Sequence, residues 1–135
     1  MSETFRLGLR REFRAEHTLA GPGQTFRHGH DYVWEVRLEA PALDEHGYLV
    51  DLVALEALVD EVAARYRHTH LNDLPAFQGL NPSLECFVRQ LGIEVAQGLG
   101  ILPGQGFGVE SVLWEHPGAW ASWSHGGPAR HGQGN

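Results

Sequence analysis

Two long stretches of period-two alternation, separated by one short loop, constrain this chain more than any other feature. Across residues 5 to 17, Phe5, Leu7, Leu9, Phe13 and Ala15 share one face, and Arg6, Arg10, Glu12, Arg14 and Glu16 share the other. That is the pattern of a half-buried strand. From His28 the alternation resumes, with His28, His30, Tyr32, Trp34, Val36 and Leu38 on one face and Asp31, Glu35, Arg37 and Glu39 on the other. Residues 18 to 27 contain Gly21, Pro22 and Gly23 and read as a loop. A parallel crossover needs about a dozen residues or more and usually a helix, so an antiparallel pair is expected.

That pairing has a chemical consequence. His17 continues the apolar parity of the first strand, and His28 and His30, two residues apart, point the same way from the second. A hairpin brings His17 alongside them. Three neutral imidazoles with a vacant position are how a catalytic zinc is usually held, although ligand type alone leaves nickel, iron and copper open. Glu16 and Asp31 neighbour these histidines in sequence, so they point to the opposite face and read as surface residues.

The rest of the chain supplies two helices and two more strands. Residues 41 to 48 carry turn chemistry, and Asp51 is placed to cap a helix whose Leu52, Leu55, Leu58, Val59, Val62 and Tyr66 recur at spacings of three and four. That helix should end near residues 67 to 70. Asn81 as cap and Pro82 at the first helical position announce a second helix, with Leu84, Phe87, Val88, Leu91 and Val95 on one stripe, running out at Gly98 and Gly100. Residues 107 to 115 and 119 to 124 read as strands. The order is ββααββ: an α+β fold with a four-stranded antiparallel sheet and both helices on one face. Residues 1 to 124 form one domain, and residues 125 to 135, with nothing to bury, form a disordered tail. Such a sheet leaves two edges and one face free, which favours oligomerisation.

Several function classes are excluded or disfavoured. A formal charge of −7 argues against nucleic acid and anionic membranes as partners, and no apolar run approaches the roughly 20 residues of a membrane span. All ten basic residues are arginine, which removes lysine Schiff-base and P-loop chemistry. One cysteine, Cys86, and no secretory leader fit a reducing cytoplasm. Cys86 lies beside the second helix's apolar stripe and reads as a core thiol. Glu115 ends the third strand just after Trp114. Among aromatics, a carboxylate there can accept paired hydrogen bonds from the N–H and amino group of a guanine-like or pterin-like ring. His68 and His70 close the first helix, where a cation complements the dipole, so a structural role is their default. His46, His116, His125 and His131 have no usable spacing.

The stretches F-R-A-E-H at 13 to 17, H-G-H-D-Y at 28 to 32, G-Y-L-V-D at 47 to 51, L-N-D-L-P at 71 to 75, N-P-S-L-E at 81 to 85 and E-H-P-G-A-W-A-S-W at 115 to 123 together resemble the 6-pyruvoyl-tetrahydropterin synthase and 6-carboxy-tetrahydropterin synthase family. The resemblance spans nearly the whole chain in order. It implies the tunnelling fold, assembled as a homo-oligomer in which trimers close a barrel and often pair into hexamers. It also implies zinc on His17, His28 and His30, a pterin ring held by Glu115, and His68 as acid or base. The implied substrate is 7,8-dihydroneopterin triphosphate, from which proton transfers assisted by zinc eliminate triphosphate and remodel the side chain.

Two departures accompany it. Family members carry a cysteine, or in one subgroup a glutamate, in the loop ahead of H-G-H. Here that loop reads G-Q-T-F-R at 23 to 27, with Gln24 near the expected place. The family's D-H-x-x-L-N pattern is Arg67-His68-Thr69-His70-Leu71-Asn72 in this chain, so His68 is kept and its aspartate is Arg67. An acid-base step is worth about 10²- to 10⁴-fold in rate, so altered proton transfer is expected. The alternatives are a homologue that binds zinc and pterin without catalysis, and a zinc hydrolase acting on another small molecule.

Overall fold

In the computed structural model, which describes residues 2 to 23, 25 to 100 and 107 to 126, the two alternating stretches pair as expected. Strand β1 (Phe5–His17) and strand β2 (His28–Ala40) form an unbroken antiparallel ladder from Phe5↔Ala40 to His17↔His28. The chain continues through helix α1 (Leu52–Tyr66), helix α2 (Leu84–Leu99), strand β3 (Gly108–His116) and strand β4 (Ala119–Gly126). The sheet is antiparallel throughout, in the order β1-β2-β3-β4, and gives the expected ββααββ architecture. Strand β4 runs two residues past the expected end of the domain; the remainder of the expected tail, residues 127 to 135, lies outside the described residues. No helix among the described residues is long and apolar enough to cross a membrane.

The helices cover the face that carries the apolar parity. Tyr32, Trp34, Val36 and Leu38 of β2 are buried against Leu55, Val59, Val62 and Tyr66 of α1 and Phe87, Leu91 and Val95 of α2. Phe87 is the hub: its ring lies 5.2 Å from Tyr32, 5.3 Å from Tyr66, 5.8 Å from Phe77 and 5.9 Å from Phe13, all in edge-on geometry. Such pairs add about 0.5–1.5 kcal/mol each beyond their buried area. The one indole in the centre of the sheet, Trp34, is satisfied by Ser111, its Nε1–H donating to Oγ at 2.9 Å. On the opposite face the charges pair instead, Arg6 with Glu39 at 3.0 Å and Arg37 with Glu35 at 2.6 Å, while Trp114 and Trp120 sit together, Trp120 being 60% exposed.

Helix boundaries follow local chemistry with one correction. Asp51 caps α1 as expected, accepting from the Ala54 N–H at 3.2 Å. Helix α2, however, is capped by Ser83, which accepts from the Cys86 N–H at 3.1 Å, and begins at Leu84. Asn81 is not the cap because its side chain is engaged by the backbone of Ala20, 61 residues away, accepting from its N–H at 3.0 Å and donating to its carbonyl at 3.5 Å. Pro82 therefore precedes the helix. At the other end, α2 closes on Gly100 in the left-handed conformation, φ 69°.

Helix α2 lies close on the sheet because it has a glycine at the contact. A methyl group at Gly92 would be driven into the Trp123 ring and would lie 2.9 Å from Ser111 Cβ. Gly92→Ala is therefore expected to destabilise the fold by about 1–3 kcal/mol, the usual cost of overpacking, even though alanine is the better helix former. Chemical unfolding of the two proteins measures this; an unchanged or raised midpoint would show that the helix can lift without loss.

Candidate metal centre

The β1–β2 register builds the site directly. His17 pairs with His28, and His30 sits across from Ala15 on the same face. Donor atoms of His17, His28, His30 and Glu115 all lie within 4.8 Å of one another. Glu115 arrives from β3: the ladder pairs Val33 with Trp114, which sets Glu115 beside Tyr32 on the helix side of the sheet. Its Oε1 is 2.7 Å from His30 Nε2 and 3.9 Å from His17 Nε2.

Hydrogen bonds on the outer side of the rings fix what faces inward. His17, fully buried, places Nδ1 2.9 Å from the Pro82 carbonyl, and His28 places Nδ1 2.7 Å from the Phe26 carbonyl. A carbonyl only accepts, so both Nδ1 atoms carry the proton and both Nε2 lone pairs point at each other, 3.0 Å apart. Two lone pairs cannot satisfy each other. The Nε2 of His30 is buried as well, and its near neighbour Glu115 Oε1, at 2.7 Å, is not in hydrogen-bonding geometry with it. Two imidazole lone pairs aimed inward by backbone carbonyls, with the Nε2 of His30 and the Glu115 carboxylate within 4.8 Å of them, fit a bound cation, and nitrogen donors with a carboxylate suit zinc among the first-row metals.

Electrostatics favour neutral imidazoles at His17 and His30. Burial pushes the His17 imidazole below its ordinary range, opposed by the bond to Pro82 and reinforced by His28. Burial does the same to His30, with Glu115 opposing. Tyr32, edge-on to His30 at 5.6 Å, is buried with a hydroxyl that has no partner among the described residues, and burial together with the Glu115 charge raises it well above the usual phenol range.

Glu16 and Asp31 stay off the cluster as expected, Glu16 bound by Arg27 at 2.7 Å and Asp31 by Arg14 at 3.2 Å. His68 is not brought to the cluster within one chain. It is exposed, takes a left-handed backbone with φ 58°, and its N–H donates to the Arg14 carbonyl at 2.7 Å, three residues or about 10 Å along the strand from His17. Cys86 is half-buried on the first turn of α2 and is not among the donors. Gln24 lies outside the described residues.

Supporting residues that sequence reasoning missed come from the connection between the helices. Asn72 accepts from the Thr18 N–H and donates to the Thr18 carbonyl, both at 2.9 Å, and Asn81 does the same for Ala20. Two carboxamides thus extend the β1 edge past His17 as a neighbouring strand would. The L-N-D-L-P and N-P-S-L-E stretches marked the place, but nothing local showed that their asparagines reach 54 and 61 residues back.

Comparison with known proteins gives one consistent answer. A family model described as 6-pyruvoyl tetrahydropterin synthase matches residues 6 to 125. An Archaeoglobus fulgidus protein provisionally named 6-carboxy-5,6,7,8-tetrahydropterin synthase is 32% identical over 74 residues, which cover 54% of this chain and 64% of that protein. Among solved structures, 6-pyruvoyl tetrahydropterin synthase from Caenorhabditis elegans superposes with a TM-score of 0.76 at 18% identity, covering 92% of this chain and 97% of that one. The Plasmodium vivax enzyme gives 0.76 at 17%, covering 92% and 99%. Likeness at that identity speaks for the fold, the tunnelling fold read from the sequence.

The neutral cluster predicts an acid sensitivity. The folded values of His17 and His30 lie below the unfolded value of about 6.5, so beneath that pH the unfolded chain binds more protons than the folded one. Stability of metal-stripped protein should be complete above about pH 6.5 and fall as pH drops through it. Urea midpoints on either side of that value check this, and His17→Asn should flatten the dependence.

Proposed function

We propose that this chain, which belongs to the 6-pyruvoyl tetrahydropterin synthase family, is a zinc-dependent lyase-type enzyme acting on 7,8-dihydroneopterin triphosphate or a related reduced pterin. The observation that supports the reading is the convergence of donor atoms of His17, His28 and His30 with the Glu115 carboxylate, two of the imidazoles being turned inward by backbone carbonyls. His17, His28 and His30 would hold zinc. Bound there, zinc supplies a Lewis acid for a hydroxyl or carbonyl of the substrate.

Glu115 is assigned to the pterin ring rather than to the metal. Its side chain is 20% exposed, as open as that of His30 at 18%, where that of His17 is fully enclosed, so it lies on the open side of the cluster. A carboxylate in that position accepts from the ring N–H and amino group together and fixes the ring's orientation. His68 is the acid or base that the family pattern assigns, without an adjacent aspartate, since Arg67 stands there. The chain is read as a homo-oligomer, trimer or hexamer, of a single domain, working in a reducing cytoplasm.

Arg67 and a loop with neither thiol nor carboxylate favour a second reading: a homologue that binds zinc and pterin without turning it over. One experiment separates the two. Zinc-loaded protein is offered 7,8-dihydroneopterin triphosphate, sepiapterin and 6-pyruvoyl-tetrahydropterin, with binding and turnover measured side by side. Turnover of any of them supports the enzyme; binding without turnover selects the second reading; neither binding nor turnover removes both. In the same series Glu115→Ala should keep its zinc and lose pterin affinity by tenfold or more, about 1.4 kcal/mol. Loss of zinc from that variant would make Glu115 a ligand, and full activity would point to hydrolysis of a different molecule.

A further inference from the structure

Gly29 stands inside strand β2 between two candidate ligands, His28 and His30, and its backbone is not in the left-handed region that would call for glycine. Its missing side chain is replaced from the neighbouring strand. The position a Cβ would take lies 2.7 Å from Arg14 Nη2, 3.0 Å from its Cζ and 3.3 Å from its Nε. We propose that Arg14 is a positioning residue for the metal cluster, its guanidinium covering Gly29 from the charged face and thereby fixing the aim of His30. The proposal rests on the metal reading above.

Backbone hydrogen bonds set this contact up. The carbonyl of Arg14 accepts from the His68 N–H at 2.7 Å, and the N–H of Glu16 donates to the Thr69 carbonyl at 2.8 Å, so both residues turn their peptide groups away from β2. Arg14↔Asp31 and Glu16↔Gly29 are therefore pairs without mutual backbone bonds, in which side chains stand closest. With nothing on Gly29 to block it, the guanidinium reaches across the diagonal, a step within range of a long side chain. Its Nη1 meanwhile donates to Asp31 Oδ1 at 3.2 Å. Glu16, opposite Gly29, is turned to Arg27 at 2.7 Å.

His30 depends on this arrangement more than the other two ligands. His17 and His28 are each held by a backbone carbonyl on the outer ring nitrogen, at 2.9 Å and 2.7 Å; among the described residues His30 makes no such bond. Its direction is left to the backbone on either side, and Arg14 grips both sides, Gly29 by covering it and Asp31 by a hydrogen bond. Glycine has the greatest backbone freedom of any residue and weakens a strand interior. A planar group lying on it takes up that freedom. The charge of Arg14 acts in the other direction, because a cation near the cluster repels a metal ion. Position and charge thus predict opposite signs when Arg14 is removed.

Zinc affinity of the full-length protein, measured by competition with a chelator, tests this, alongside nitrogen NMR of the imidazoles in metal-stripped protein. Arg14→Ala should weaken zinc binding by about 10- to 100-fold, the usual effect of a group that orients a ligand, with the metal-free urea midpoint unchanged. Arg14→Lys keeps the charge and loses the plane, and should weaken binding as much. Gly29→Ala should weaken it too, by displacing the guanidinium, yet add nothing to Arg14→Ala. Unchanged or raised affinity in Arg14→Ala, wild-type affinity in Arg14→Lys, or additive losses in the double variant overturns the proposal, as does a loss of affinity matched by a loss of metal-free stability. If Gly29→Ala does not fold, the two Arg14 variants decide alone. A wild-type protein that binds no zinc sinks the metal reading instead. The imidazole spectrum then decides: movement of the His30 resonances in Arg14→Ala with those of His17 in place supports the role of Arg14, and an unmoved His30 overturns it.

Discussion

The pairing register of β1 with β2 is the constraint on which the rest depends. Side chains alternate with period two, so a slip by one residue would turn Tyr32, Trp34, Val36 and Leu38 outward and send His28 and His30 to the charged face. The connecting loop is too long to set this register as a two-residue turn would. It is set by the contrast between faces: one apolar and covered by helices, the other carrying Arg6, Arg10, Arg14, Glu35, Arg37 and Glu39. Core and site are therefore consequences of a single alignment, and His17↔His28 is simply its last pair.

A hairpin alone would not hold the site. His17 is enclosed completely, and a buried imidazole nitrogen without a partner costs about 1–3 kcal/mol. Its partner is the Pro82 carbonyl, 65 residues on, which is free to accept because α2 starts after it, at Leu84. The segment that supplies this carbonyl also supplies Asn72 and Asn81 to the backbone beyond His17. The orientation of His17, the loop path and the helix start are thus one arrangement, and the cluster forms only when hairpin, inter-helix connection and β3 have all come together.

This explains what was legible in the sequence. The strands, both helices, the Asp51 cap and the convergence of three histidines are written in local periodicity, and each was readable from its own stretch. The α2 cap was misplaced because an asparagine before a proline serves equally well as a helix cap or as a backbone mimic, and the choice fell to Ala20, far away in sequence. The two histidines after α1 were harder for a related reason. The left-handed backbone of His68 ends the helical period between Tyr66 and His70, so helix geometry no longer says which imidazole turns toward β1. The structure turns His70 there and leaves His68 outside. Nor could the sequence show that Glu115, one strand end among several, would meet the histidines, because that depends on the β2–β3 register.

The same backbone reversal bears on how this chain differs from its family pattern. Replacing the aspartate before His68 by Arg67 takes a carboxylate from the helix end, while Asp73 places one a single short turn later, over a different histidine. The distance between those positions in sequence is small, but their surroundings are not alike. Residues 67 and 68 are exposed beyond the β1 edge, whereas residues 69 and 70 are drawn against it through Glu16 and Thr18. A carboxylate–imidazole pair in the second location is more enclosed, closer to His17 and already in contact with a hydroxyl. The carboxylate–imidazole pair of this turn thus stands at the edge of the sheet rather than at the end of the helix, beside the same strand whose register brings the three histidines together.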